Sequence, residues 1–158
     1  SVTNKVTCNY CGRFGYVARS HGSELRNVTA ALNTTGLEIH SNQLTVTNYY
    51  ANNCEVGLVV AAGNNVFNST YLESGKTTVA QLIMGDDSGG SPTDGNTFTA
   101  LTIANSGQGQ CAIFKSNAGR TSIHGGSIQS CGGATLAPGV KVLTENVTGG
   151  IPGATVLQ

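Results

Sequence analysis

The chain has 158 residues, with 8 Lys and Arg against 8 Asp and Glu and a formal net charge of +0 at pH 7. Charged residues are 10% of the total. That supply of scattered cations argues against nucleic acid as a partner, because phosphate binding needs clustered Lys and Arg. With 22 Gly, many Asn, Ser and Thr, one Met and no Trp, the sequence is poor in helix formers and rich in turn formers.

Low charge also argues against disorder. The longest apolar run, residues 57–62, is far too short to span a membrane as a helix, so no membrane insertion is expected. No signal peptide opens the chain, and its first residues already read like the middle of a repeat. A piece of a longer protein is therefore expected.

Taken in chain order, short apolar runs recur in a fixed sequence of types. One type reads Tyr16-Val17-Ala18, then Leu37-Glu38-Ile39, Leu58-Val59-Val60, residues 79–83, residues 111–114 and Ala134-Thr135-Leu136. A second type reads Lys5-Val6-Thr7, then residues 25–28, Leu44-Thr45-Val46, Val66-Phe67, Thr97-Phe98-Thr99, Ser122-Ile123 and residues 140–143. A third apolar set trails each second run: Tyr10, Ala31, Tyr50, Leu72, Ile103, Ile128 and Val147. The blocks beginning at Leu37 and at Leu58 have one layout and stand 21 residues apart.

This spacing predicts a solenoid of about six coils, preceded by a partial one. Three short strands joined by corners would make each coil, with residues two apart sharing the interior. Successive coils would pair in parallel about 4.8 Å apart. Gly and Asn suit the corners because they tolerate positive φ, and Asn at repeated corners can stack into side-chain ladders. No window gives a clean helical stripe. Residues 19–32 come nearest, and they fall in the strand register instead.

The longest gap between coils holds residues 85–95, GDDSGGSPTDG, a loop by every local signal. Insertions of this kind project from one face of a solenoid, often the binding face. The predicted organisation is a β-helix domain over residues 1–148, interrupted by that loop, with residues 149–158 leaving the stack. An open end of a parallel stack exposes unpaired backbone, so capping by more chain or by other subunits is expected.

Five cysteines, Cys8, Cys11, Cys54, Cys111 and Cys131, leave at least one unpaired within the chain. Cys8 and Cys11 form a C-x-x-C with no second pair at zinc-finger spacing and no helix behind it. The expectation is buried free thiols in small core sites, which fits folding in a reducing compartment.

Apolar pairs, Asn corners and a Gly before the next strand, as in Asn52-Asn53-Cys54-Glu55-Val56-Gly57-Leu58-Val59-Val60, give the sequence its character. In this repeat style it resembles a right-handed, single-stranded parallel β-helix over about residues 4–148. The flavour is most similar to bacteriophage tailspike or neck-appendage β-helices. That resemblance implies a homotrimer exposed on the phage tail of a virion, or a secreted or bacterial cell-surface protein. It also implies binding, and in many such proteins cleavage, of host surface polysaccharide. A structural or adhesive stalk without sugar chemistry is the alternative, since the fold alone does not settle function.

If the chain is an enzyme, the resemblance implies a glycoside hydrolase before a lyase. Lyases of this fold usually use calcium with basic residues, and no Asp cluster in the sequence has an evident Arg or Lys partner. Hydrolysis needs two carboxylates across the scissile bond. Three of the eight acids, Asp86, Asp87 and Asp94, sit in the inserted loop and are the catalytic candidates. Asp also favours Gly-rich turns for backbone reasons alone. Glu38 and Glu73, with Tyr49, Tyr50 and Tyr71, are the carbohydrate-binding candidates, because aromatic faces pack on sugar rings. Against this stands the plain alternative of solvated acids. His21, His40 and His124 read as surface residues. No EF-hand or calcium nonapeptide pattern occurs, and neither a metal nor a cofactor is expected. Four N-x-S/T sequons, at Asn27, Asn33, Asn68 and Asn146, are no more than this composition produces by chance.

Overall fold

The computed structural model describes every residue except 78, 87–91, 106, 130, 131 and 158, and the side chain of residue 105. Its described residues form an all-β parallel solenoid with no helix. Long and short strands alternate. The long ones are β1 (Val2–Asn9), β3 (Glu24–Ala31), β5 (Thr45–Asn52), β7 (Val66–Glu73), β9 (Asn96–Asn105), β11 (Arg120–Ile128) and β13 (Lys141–Thr148). The short ones are β2 (Phe14–Ala18), β4 (Thr35–Ile39), β6 (Val56–Val60), β8 (Ala80–Met84), β10 (Gln110–Phe114) and β12 (Ala134–Leu136). These long strands pair in parallel with one another and the short ones with one another, which makes about seven turns. The partial coil expected at the start is a full turn.

Each turn has two strands where three were expected, because the second and third apolar runs share one bent strand. The bend is a single residue with positive φ at the same level of every turn: Lys5, Asn27, Asn48, Ser69, Ala100, Gly125 and Asn146. This left-handed conformation crowds Cβ against the following carbonyl, and Gly and Asn bear it best. The expected side-chain ladder forms at this corner. Asn48 Nδ2 donates to Asn27 Oδ1 at 3.1 Å, and Asn27 Nδ2 donates to Asn4 Oδ1 at 2.9 Å.

The corner shifts the phase of the strand's alternation. Before it, Leu25, Val46, Phe67, Phe98 and Ile123 stack inward in register. After it, the inward columns are Val28–Tyr49–Thr70–Leu101 and Ala30–Ala51–Leu72–Ile103–Ile128. The third apolar set therefore needs correcting. Tyr10 and Tyr50 face solvent, and Tyr49 and Ala51 take the interior positions of their turn. The short strands close the core with Leu37–Leu58–Leu82–Ala112 and Ile39–Val60–Met84–Phe114. Burying each large side chain stabilises by roughly 1.5–3 kcal/mol.

Buried corner amides satisfy backbone groups that the ladders leave over. Asn65 accepts from the Leu44 amide at 2.8 Å and donates to Ala62 O at 3.0 Å. Asn96, one turn on, accepts from the Asn65 amide at 2.9 Å and donates to Ala62 O and Thr93 O. The tail, expected to leave the stack, returns to it: β14 (Thr155–Leu157) pairs in parallel with β13 and adds an eighth strand to the long-strand sheet.

The thiol expectation holds for one cysteine and fails for three. Cys54 is free and buried. Cys8 and Cys11 are joined in a disulfide, since the β1–β2 corner brings their Cα atoms to 5.9 Å, within bridging range. Cys111 is also disulfide-bonded. Cys131 lies outside the described residues.

Candidate functional site

The outward positions beyond the positive-φ corner form a flat, mostly polar strip on the long-strand sheet. Thr29, Tyr50, Tyr71, Thr102 and Ser127 follow one another in register along it. Tyr50 and Tyr71 are both 37% exposed, and their rings lie 5.4 Å apart at 32°. They face out because Asn48 and Ser69 turn the strand two residues earlier, which sends the intervening Tyr49 and Thr70 inward.

Polar groups hold the pair. Asn52 Nδ2 donates to the Tyr50 hydroxyl at 2.7 Å, and Asn53 Nδ2 donates to Asn52 Oδ1 at 2.6 Å. Glu73 pairs in register with Asn52 and stands beside Tyr71. The Tyr71 hydroxyl is pushed above the usual phenol range, first by desolvation, then by the Glu73 carboxylate and Tyr50. It therefore stays a neutral donor across the neutral range. The strip offers two partly exposed tyrosine rings with their phenol groups, an amide and a carboxylate.

Of the five proposed carbohydrate-binding residues, the structure brings Tyr50, Tyr71 and Glu73 together. Tyr49 is a correction: it is 1% exposed, with its hydroxyl donated to Gly57 O at 2.6 Å, so no ligand reaches it. Glu38 does face outward, but from β4 in the other sheet, where it pairs with His40 Nε2 at 2.8 Å.

The loop acids are tied to the neighbouring turn. Asp86 exchanges two hydrogen bonds with Asn117: the Asp86 amide donates to Asn117 Oδ1, and Asn117 Nδ2 donates to Asp86 Oδ1, both at 3.1 Å. Asp94 Oδ1 accepts from the Arg120 amide at 2.7 Å. Asp87 lies outside the described residues. Other acids have cationic or imidazole partners. Glu24 chelates Arg26 at 2.6 and 2.8 Å, and Glu145 meets His124 at 2.8 Å. The Arg26 contact comes first in holding the Glu24 carboxyl below the usual carboxylate range. Among the described residues no group of three or more His, Cys, Asp and Glu is placed to hold a metal ion.

The sequence reading missed one constellation. Asp94, Arg120 and Lys141 line a single cleft with Pro92, Gly119 and Gly139. These residues come from three different turns, so only stacking brings them together. Comparison with protein-family models, with curated proteins and with solved structures found no match.

Proposed function

We propose that this β-solenoid binds polysaccharide along the outer face of its long-strand sheet, as a module of the tailspike type. The observation that carries the reading is the Tyr50–Tyr71 pair, two half-exposed rings held side by side on a rigid sheet and flanked by Asn52 and Glu73. The apolar C–H face of a sugar ring packs on an aromatic face, and hydroxyls around its rim exchange hydrogen bonds with amide and carboxylate groups. Because the platform sits on paired strands rather than a loop, little ordering is left to do on binding.

Binding without cleavage is the favoured form of this reading. Asp86 and Asp94 serve as backbone and amide partners between turns, a structural use of both described loop acids. The homotrimer and the phage-tail setting belong to the same proposal and rest on the repeat style alone. A stalk with no sugar chemistry is the competing reading.

Titration of the protein against bacterial capsule and O-antigen oligosaccharides tests the proposal. The expected result is binding that Tyr71→Ala abolishes while the thermal transition stays in place. Binding that survives both Tyr50→Ala and Tyr71→Ala would sink the assignment of the face. A reducing-end assay on the same mixtures should show no release of new ends. Light scattering should give a trimer.

A further inference from the structure

The geometry points to a second binding site, for an oxyanion carried on a sugar, in the cleft formed by Asp94, Arg120 and Lys141. It lies at the corner where β11 and β13 begin and shares no residue with the tyrosine face; the anion chemistry is read from the cleft itself, and the sugar carrier rests on the polysaccharide reading. The cleft is shallow and open to solvent, with a volume of about 510 Å³.

Arg120 and Lys141 are register partners on adjacent strands, so their backbones lie about 4.8 Å apart. Both side chains are exposed. Among the described residues neither forms an ion pair, whereas Arg26 does with Glu24. Like charges at directly opposed positions repel, and a sheet normally avoids the arrangement or alternates the sign. Here two cations are stacked in a chain with only eight, and among the described residues no ion pair ties either to an acid.

Asp94 does not neutralise the pair. Its Oδ1 is engaged by the Arg120 backbone amide at 2.7 Å rather than by the guanidinium. Its backbone is pinned as well, since Asp94 O accepts from the Asn64 amide at 2.8 Å. Gly119 lets it sit there: a Cβ at Gly119 would come within 2.8 Å of the Asp94 Cβ. Among the described residues the cleft thus holds two exposed cations and one fixed carboxylate. An incoming carboxylate or sulfate ester would bridge the guanidinium and the ammonium and relieve their repulsion. The free Asp94 oxygen would accept from a neighbouring sugar hydroxyl. Arg suits either anion, because its paired donors can engage two oxygens of one group at once.

The test is a titration of the whole chain with four probes: an oligogalacturonate, a heparin-derived oligosaccharide, a neutral dextran oligomer and inorganic sulfate. The expected result is that at least one anionic oligosaccharide binds tenfold or more tighter than dextran, and that raising the salt weakens it. The two anionic arms tell a carboxylate from a sulfate ester. Lys141→Gln and Arg120→Gln should each weaken that binding about tenfold, a loss of about 1.4 kcal/mol. Lys76→Gln, away from the cleft, should leave it unchanged. Without ligand, Lys141→Gln should unfold at the same or a higher temperature, since it removes a repulsion. Four outcomes would each overturn the inference: equal binding of dextran, sulfate alone binding as tightly as either sugar, no binding of either anionic sugar, or a lower unfolding temperature for Lys141→Gln. Loss on Tyr71→Ala with no change on Lys141→Gln would also overturn it and would leave the tyrosine face standing.

Discussion

The Tyr49 hydroxyl donates to the carbonyl of Gly57 at 2.6 Å, across the interior from the long-strand sheet to the short-strand sheet. Gly36 makes room for it, since a Cβ there would press on the Tyr49 hydroxyl and lie 2.6 Å from Gly57 O. Tyr49→Phe should cost about 1–3 kcal/mol by leaving that carbonyl without its phenol donor. Gly36→Ala should cost at least as much, through overpacking of about 1–3 kcal/mol. The double variant should be more stable than the sum of the two predicts, because removing the hydroxyl clears part of the clash. Urea melts of the four proteins measure this, and strict additivity would disprove the coupling.

The positive-φ column makes a second prediction. Ala100 and Ser69 hold φ of 59° and 61°, a conformation that costs a non-glycine residue roughly 1–2 kcal/mol. Both side chains point to solvent, so substitution disturbs no packing. Ala100→Gly should therefore stabilise by about 0.5–1 kcal/mol, net of the entropy glycine loses. Ser69→Asn should also stabilise, and by more than Thr47→Asn at a half-buried position in the row beside it, because it extends the Asn4–Asn27–Asn48 ladder. Thermal unfolding decides it, and a loss of stability in Ala100→Gly would contradict the corner geometry.

Phe67 and Phe98 stack at 4.4 Å and 10° in adjacent turns, beside the longest interruption of the repeat. Phe98→Ala should cost about 3–5 kcal/mol, the usual range for an emptied aromatic core site. Phe98→Leu should cost much less, because it keeps most of the volume. Circular dichroism melts suffice, and equal costs for the two changes would show that stacking, not volume, dominates there.

Alkaline pH should weaken the fold. Desolvation first holds the Cys54 thiol above its ordinary value of 9.0, against backbone hydrogen bonds from Asn33, Leu32 and Asn52 that pull it down. Burial likewise holds the Tyr49 phenol well above 10.0. Both folded values are raised, so the native state keeps protons that the unfolded chain releases. Their stabilising contribution is complete below pH 9.0 and is lost as pH rises through the unfolded values toward the folded ones. Urea midpoints measured from pH 7 upward should be flat and then fall. Cys54→Ala should remove the limb that begins first. An unchanged limb in that variant would place its cause elsewhere.

For the proposed polysaccharide face, Tyr71→Phe is the finer probe. It keeps the ring and removes the hydroxyl beside Glu73. Binding should weaken several-fold, where Tyr71→Ala abolishes it. Equal loss in the two variants would assign recognition to the hydroxyl and not to the ring.

Much of this fold can be read from local sequence. The spacing of Leu37 and Leu58 becomes a true register pair, and the Asn-rich corners become a hydrogen-bonded ladder. Repeat period, strand character and corner chemistry are each set by residues near one another in the chain, where backbone preference and alternation act directly. Face assignment past the corner is different. One left-handed residue at Asn48 shifts the alternation, so Tyr49 is buried and Tyr50 exposed, an outcome that strict period-two reading does not resolve. The disulfide between Cys8 and Cys11 depended likewise on how tightly the β1–β2 corner closes.

What the sequence by itself determined is the solenoid, its period and the place where the period breaks, because these follow from short-range propensity repeated turn after turn. What only the tertiary structure decided is which side chains share a surface. Tyr50 meets Tyr71, and Arg120 meets Lys141 beside Asp94, across separations of a whole turn or more. Stacking sets those neighbours, and it depends on the length of every corner in between, including the extra residues inserted before Asp94.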